Sequence, residues 1–138
     1  MTHRFHKNYL KFTAFVIASF GPVFSLGSML WSSGPAEWTL DFLSFPVDGA
    51  QDYNASTTRF LSALTGGFLL GWGVCVWCLQ QWVYDIAPEP VRKTVVAGLL
   101  TWFVFDSAGS IASGNWSNAF FNIIVLMLGV GPLWKPAK

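Results

Sequence analysis

Asp106 is the acidic side chain that lies well inside an apolar run of this chain, between Val95 and Ser113. A carboxylate in hydrocarbon is costly, and it ordinarily faces the interior of a helix bundle, where it pairs with a cation or serves a function. The cation within reach is Arg59, which opens a different apolar run. Arginine can extend inward while its stem stays apolar, so the sequence predicts an Arg59–Asp106 ion pair. Helical spacing adds polar neighbours. Asp106, Ser110 and Ser113 share one face at i, i+4 and i+7, and Asn115, Asn118 and Asn122 share another at i, i+3 and i+7. Ser25, Ser28 and Ser32 repeat the pattern, as do Arg59, Ser62 and either Thr65 or Gly66. The predicted ligand-binding set is therefore Arg59, Ser62, Asp106, Ser110, Asn118 and Asn122. Two readings are open for it. One is a polar cleft for a lipophilic small molecule such as a quinone or a lipid. The other is glue between helices, where such hydrogen bonds contribute about 0.6 kcal/mol on average.

Other reactive residue types do not combine into a site. Cys75 and Cys78 form a Cys-x-x-Cys within an apolar helix, and no further cysteine follows to relay a disulfide. A redox dithiol is one reading of that spacing; small packing side chains, kept reduced, are the preferred one. Two thiols do not make a tetrahedral metal site, and the histidines, His3 and His6, lie near the N-terminus. With Arg4 and Lys7 they read as an anchor for anionic headgroups. Nothing has the spacing of a nucleophile with its base or of a phosphate loop, so no catalytic residue, metal or cofactor is predicted.

The elements that must position these residues are transmembrane helices. Of the 138 residues 53% are hydrophobic and 11% charged, with a mean hydropathy of +0.46, whereas a soluble domain carries about 25% charged residues. A net charge of +1 with no basic block sets nucleic-acid binding aside. A span needs about 20 apolar residues, and four runs qualify, at about 12–31, 60–82, 95–113 and 116–133. The expected fold is an all-α integral membrane protein, a single four-helix bundle over 1–138. Pro22 is expected to kink the first helix. The long loop over 33–58 is expected to fold a short interfacial helix or turn around Trp38–Phe45.

Lys and Arg set the expected orientation, because positively charged loops stay in the cytoplasm. Arg4, Lys7 and Lys11, then Arg92 and Lys93, then Lys135 and Lys138 fall on one side, which is all but Arg59 of the 8 basic residues. The loop over 33–58 carries Glu37, Asp41, Asp48 and Asp52 instead. Both termini are therefore expected in the cytoplasm. Trp31, Trp38 and Trp116 would sit at the outer interface, and Trp82 and Trp134 at the inner one.

The stretch from Arg59 to Gly73, containing Gly66-Gly67, together with Asp106 to Gly114 and Asn118 to Asn122, resembles small bacterial four-helix membrane proteins distantly similar to DoxX-like proteins. The resemblance implies a four-helix fold in a bacterial cytoplasmic membrane, with redox-linked or accessory roles. The chain departs from it at Asp106, where a basic residue is expected, and the resemblance supplies no catalytic residue. The expected function is a small membrane accessory or scaffold protein, partnered by the bilayer and by a membrane protein or a second copy of itself. The alternative is a binding protein or enzyme holding a quinone or lipid in an outer-leaflet cleft.

Overall fold

The computed structural model describes residues 1–137, and they contain helices and turns with no strand. We number the helices α1 (His3–Leu26), α2 (Gly34–Leu43), α3 (Ser56–Cys78), α4 (Pro88–Ala112) and α5 (Trp116–Val130). A short 3-10 turn, Leu30–Ser32, leads into α2, and another, Gly131–Leu133, ends α5. Counting the turns that extend α3 and α5, four segments are long and apolar enough to cross a membrane: His3–Leu26, Ser56–Val83, Pro88–Ala112 and Trp116–Leu133.

Helix ends differ from the expected spans for local reasons. α1 begins nine residues before Phe12 because the Thr2 hydroxyl accepts the Phe5 backbone N–H, and because His6 and Leu10 are buried in its first turns. It runs without interruption through Pro22. α4 starts at Pro88 rather than Val95, since proline in the first turn lacks only an N–H that has no helical partner there. The last turn of α3 widens into a π-helical segment, Leu79–Val83, in which the Tyr84 N–H reaches back to the Leu79 carbonyl at 3.0 Å. Gly114, at φ 84°, makes the tight turn from α4 into α5 in a conformation that costs glycine nothing.

The closest pairs are α1 with α3 and α4 with α5. The first pair meets across missing side chains. A methyl group added at Gly73 would stand 2.6 Å from both the Ala18 backbone nitrogen and its Cβ, one at Gly21 would stand 2.7 Å from Leu70 Cβ, and one at Gly66 would collide with Ser25. Small residues of this kind let two membrane helices bring their backbones together and gain dispersion contact. The two pairs are joined at one end by a core of Leu10 and Ala14 from α1, Val76 from α3, Tyr84, then Val91, Val95 and Leu99 from α4, with Val130 and Leu133. At the other end the anticipated loop helix, α2, bridges α1 and α5. Its Phe42 ring lies 4.9 Å from that of Phe121, and the Ser117 hydroxyl donates to the Leu43 carbonyl at 2.6 Å.

The outside is apolar. Phe12, Phe15, Phe68, Phe105 and Met127 are each between 57% and 76% exposed, and together they span all four long helices. A protein in water rarely shows so much contiguous apolar surface, whereas lipid requires it. Trp31, Trp38, Trp82, Trp116 and Trp134 all point outward as well.

Helix pairing through glycine predicts a contrast between two substitutions. Gly73→Leu should lower stability by about 1–3 kcal/mol through overpacking, while Gly67→Leu, whose side chain enters open space, should change it by less than about 0.5 kcal/mol. Thermal unfolding of the two variants in the same detergent micelle measures the difference.

Candidate functional site

Four of the six predicted site residues meet between α4 and α5. Asp106 Oδ2 accepts Nδ2 hydrogens from Asn118 at 2.9 Å and from Asn122 at 2.6 Å. Each asparagine spends its amide on α4 twice, Asn118 also donating to Ser110 Oγ at 2.7 Å and Asn122 to Ser107 Oγ at 3.1 Å. Ser110 Oγ in turn donates to the Asp106 carbonyl at 2.7 Å. Asn122, Ser107 and Ser110 are buried and Asp106 is half-buried. The turn chemistry explains how the faces meet. Gly114 reverses the chain within a few residues, so the stripe on α4 is apposed to the stripe on α5 in antiparallel register. Asn115 stays at the turn and donates to Ser113.

Arg59 and Ser62 are elsewhere, and the expected Arg59–Asp106 ion pair is not formed. Arg59 Nη1 donates to the backbone carbonyls of Tyr53, at 2.8 Å, and Asn54, at 2.7 Å, closing the loop that enters α3. The ion pairs among the described residues involve Asp85 and Glu89 instead. The physical reason is proximity: a few residues of chain bring Arg59 two loop carbonyls, while Asp106 already receives amide donors from the helix it packs against. Ser62 bonds into the interface of α1 and α3, donating to the Phe24 carbonyl at 2.8 Å with its oxygen 3.2 Å from the Tyr53 hydroxyl. Gly66, not Thr65, continues the buried face, and Thr65 is exposed, donating back to Leu61. The stripe on α3 and the stripes on α4 and α5 therefore enter separate networks, while Ser32 of the first stripe bonds locally to the Leu26 carbonyl. Shallow, open surface grooves run along Phe60, Ala63, Leu64, Gly67 and Phe68 and along Arg92, Lys93, Val96, Ala97, Leu100 and Trp134. Neither is lined by the Asp106 cluster.

A third polar assembly, at the end carrying both termini, has no counterpart among the sequence expectations. Arg92, read from sequence as a loop charge, is 8% exposed and lies inside the first turns of α4. Its Nη1 donates to the carbonyls of Leu133 at 2.7 Å and Trp134 at 3.1 Å, and its other nitrogens grip Glu89. His6, expected at the headgroups, is buried at 1% exposure near Arg92 and the Pro132 carbonyl, with neither ring nitrogen in hydrogen-bonding geometry. Gln80 Oε1 and the Tyr84 hydroxyl are buried and unpartnered at the same end. Burial pushes the Tyr84 phenol up from its usual range, and the Glu89 and Asp85 carboxylates add to that. His3 and Lys7 both bind Asp85, His3 at 3.1 Å, and Arg4 beside them is exposed. The Lys7 hydrogen bond first, then that of His3, hold the Asp85 carboxyl below the usual carboxylate range. A basic side chain one or two turns from a helix start, on the same face as an apolar residue such as Val95, is the sequence signal that marks Arg92 as inward-facing.

Cys75 and Cys78 are free, Cys75 exposed and Cys78 half-buried, so Cys75 does not pack between helices as expected. No group of three or more His, Cys, Asp or Glu side chains among the described residues is arranged to hold a metal ion.

No family model, curated protein or solved structure matches the chain.

The separation of Arg59 from Asp106 predicts the outcome of two double-mutant cycles. Arg59→Leu and Asp106→Leu should be additive within about 0.5 kcal/mol, the limit for independent sites, whereas Asp106→Leu and Asn122→Leu should deviate from additivity by roughly 0.5–3 kcal/mol because they share a hydrogen bond. Unfolding free energies of the single and double variants in micelles supply both numbers, and coupling of the same size in the first cycle would contradict the geometry.

Proposed function

We propose that this chain is a small accessory or scaffold protein of a bacterial cytoplasmic membrane, crossing the bilayer four times with both termini inside. The observation that carries the reading is how the polar side chains are used. Asn118, Asn122, Ser107 and Ser110 tie Asp106 across α4 and α5, Ser62 ties α3 to α1, and Arg59 closes a loop. In hydrocarbon these groups are held by one another, which serves to fix helix positions and presents an apolar flank to the bilayer or to another membrane protein. The DoxX-like resemblance favours the same class of role.

The orientation is supported by which segments share an end. Lys7 and His3 bind Asp85, and Arg92 binds the carbonyls of Leu133 and Trp134, so the N-terminus, the turn between α3 and α4, and the C-terminal turn lie together. That end carries every described lysine and arginine except Arg59. Positive loops are retained in the cytoplasm. A cysteine placed at Asp48, in a chain with Cys75→Ala and Cys78→Ala, should react with a membrane-impermeant maleimide added outside intact spheroplasts. Labelling only after the membrane is opened would reverse the topology.

One observation favours a second reading, a binding protein for a lipophilic molecule. Asp106 is half-buried and its Oδ1 accepts no hydrogen bond among the described residues, leaving one carboxylate oxygen for a ligand donor. Native mass spectrometry of gently extracted protein separates the two. A stoichiometric protein partner or a second copy is the expected result. A co-purifying quinone that disappears in Asp106→Ala, with the oligomeric state unchanged, would replace the scaffold reading by the binding one.

A further inference from the structure

Most of the basic groups near the two termini are already engaged. Lys7 and His3 are held by Asp85, Lys11 stands over the Trp77 ring at 5.1 Å from its centroid, and Arg92 is buried against Glu89 and two carbonyls. Arg4, Lys93 and Lys135 are exposed and enter no ion pair among the described residues, and of these Lys93 lines a groove. Glu89, the carboxylate that also feels Lys93, is gripped by Arg92.

Lys93 lines one end of an open surface groove, and Lys135 follows Trp134, which lines the same groove. Lys93, Val96, Ala97 and Leu100 follow i, i+3, i+4 and i+7 on α4, so one face of that helix passes from a cation to apolar side chains over about 10 Å. The exposed indole of Trp134, fixed by the Arg92 bond to its carbonyl, forms the opposite wall, and Lys135 follows it. The groove is shallow and open on its outer side, with about 310 Å³ of space along it. Its small residue, Ala97, leaves room midway along the floor.

We propose that this groove binds an anionic phospholipid, with the phosphate at Lys93 and Lys135, the Trp134 ring against the glycerol esters, and the first methylenes of one acyl chain along Val96, Ala97 and Leu100. Cation above, amphipathic ring at the boundary and apolar floor below is the order in which a lipid presents phosphate, ester and hydrocarbon. Basic recesses beside membrane helices recognise anionic headgroups because each lysine near the surface adds attraction that zwitterionic lipids do not elicit. The inference rests on the chain spanning a bilayer and is independent of the accessory role. It places a headgroup contact at residues other than His3, Arg4, His6 and Lys7, where the sequence predicts one.

The test uses full-length protein stripped of lipid in a mild detergent and then exposed to mixed micelles containing phosphatidylglycerol or phosphatidylcholine, with retained lipid counted by native mass spectrometry. Wild type should retain phosphatidylglycerol in preference to phosphatidylcholine. That preference should fall roughly fivefold for each of Lys93→Gln and Lys135→Gln. Arg4→Gln should leave it unchanged. Ala97→Phe, which fills the floor and keeps both charges, should lower retention of either lipid. Millimolar inorganic phosphate should not displace the lipid, since it lacks the acyl chain. Retention of full preference by the double lysine variant, equal loss in Arg4→Gln, or displacement by phosphate alone would overturn the assignment. So would Ala97→Phe binding as wild type does.

Discussion

The near contact of α1 and α3 through Gly21, Gly66 and Gly73 is the arrangement on which the remaining packing depends. Helices in lipid gain nothing from burying one more apolar side chain, because the solvent is equally apolar, so association must come from close surfaces and from hydrogen bonds. Glycine at these three positions lets the backbones approach, and that approach brings Ser62 onto the Phe24 carbonyl. With α1 and α3 fixed, Leu10, Ala14 and Val76 present one wall, against which Val91, Val95 and Leu99 of α4 then pack.

The second pair is held by different chemistry. α4 and α5 are linked by a turn too short to permit many alternatives, and the asparagine amides satisfy Asp106 across it. An amide supplies a directed dipole without the desolvation penalty of a second buried charge, which is why a carboxylate can be accommodated here with neutral partners. The consequence is a division of labour along the bundle. Hydrogen bonds from neutral amides to Asp106 close the end near Gly114. The opposite end is closed by charged groups, where Arg92 fastens the C-terminal turn and Lys7 and His3 fasten the turn at Asp85.

That charged end is also where polar atoms are least satisfied. His6, Gln80 and Tyr84 are buried with unpartnered atoms, and His6 and Tyr84 lie close to Arg92. The π-helical turn at Leu79–Val83 contributes, since the extra residue in that turn rotates the succeeding side chains and carries Tyr84 into the core while Trp82 is left outside. Buried groups of this kind add no stability of their own, because an unpartnered polar atom loses its hydration without a replacement hydrogen bond.

The number of long apolar helices, the presence of a short helix in the loop over 33–58 and the polar stripes that carry Asp106 on one helix and Asn118 and Asn122 on the next were legible in the chain itself. These properties depend on hydrophobic length and on i, i+3 and i+4 periodicity, which are local. The early starts of α1 and α4 were not legible, because a basic or proline-rich segment is drawn into a helix only when its inward face finds a core, as His6, Leu10 and Arg92 do. Whether Arg59 meets Asp106 or the carbonyls of Tyr53 and Asn54 was equally beyond the sequence. Both choices satisfy the same guanidinium, and helical periodicity places a residue on a face without naming the helix opposite. Only the tertiary structure decides that, because which faces meet is set by where two backbones can come close, and here that is at Gly21, Gly66 and Gly73.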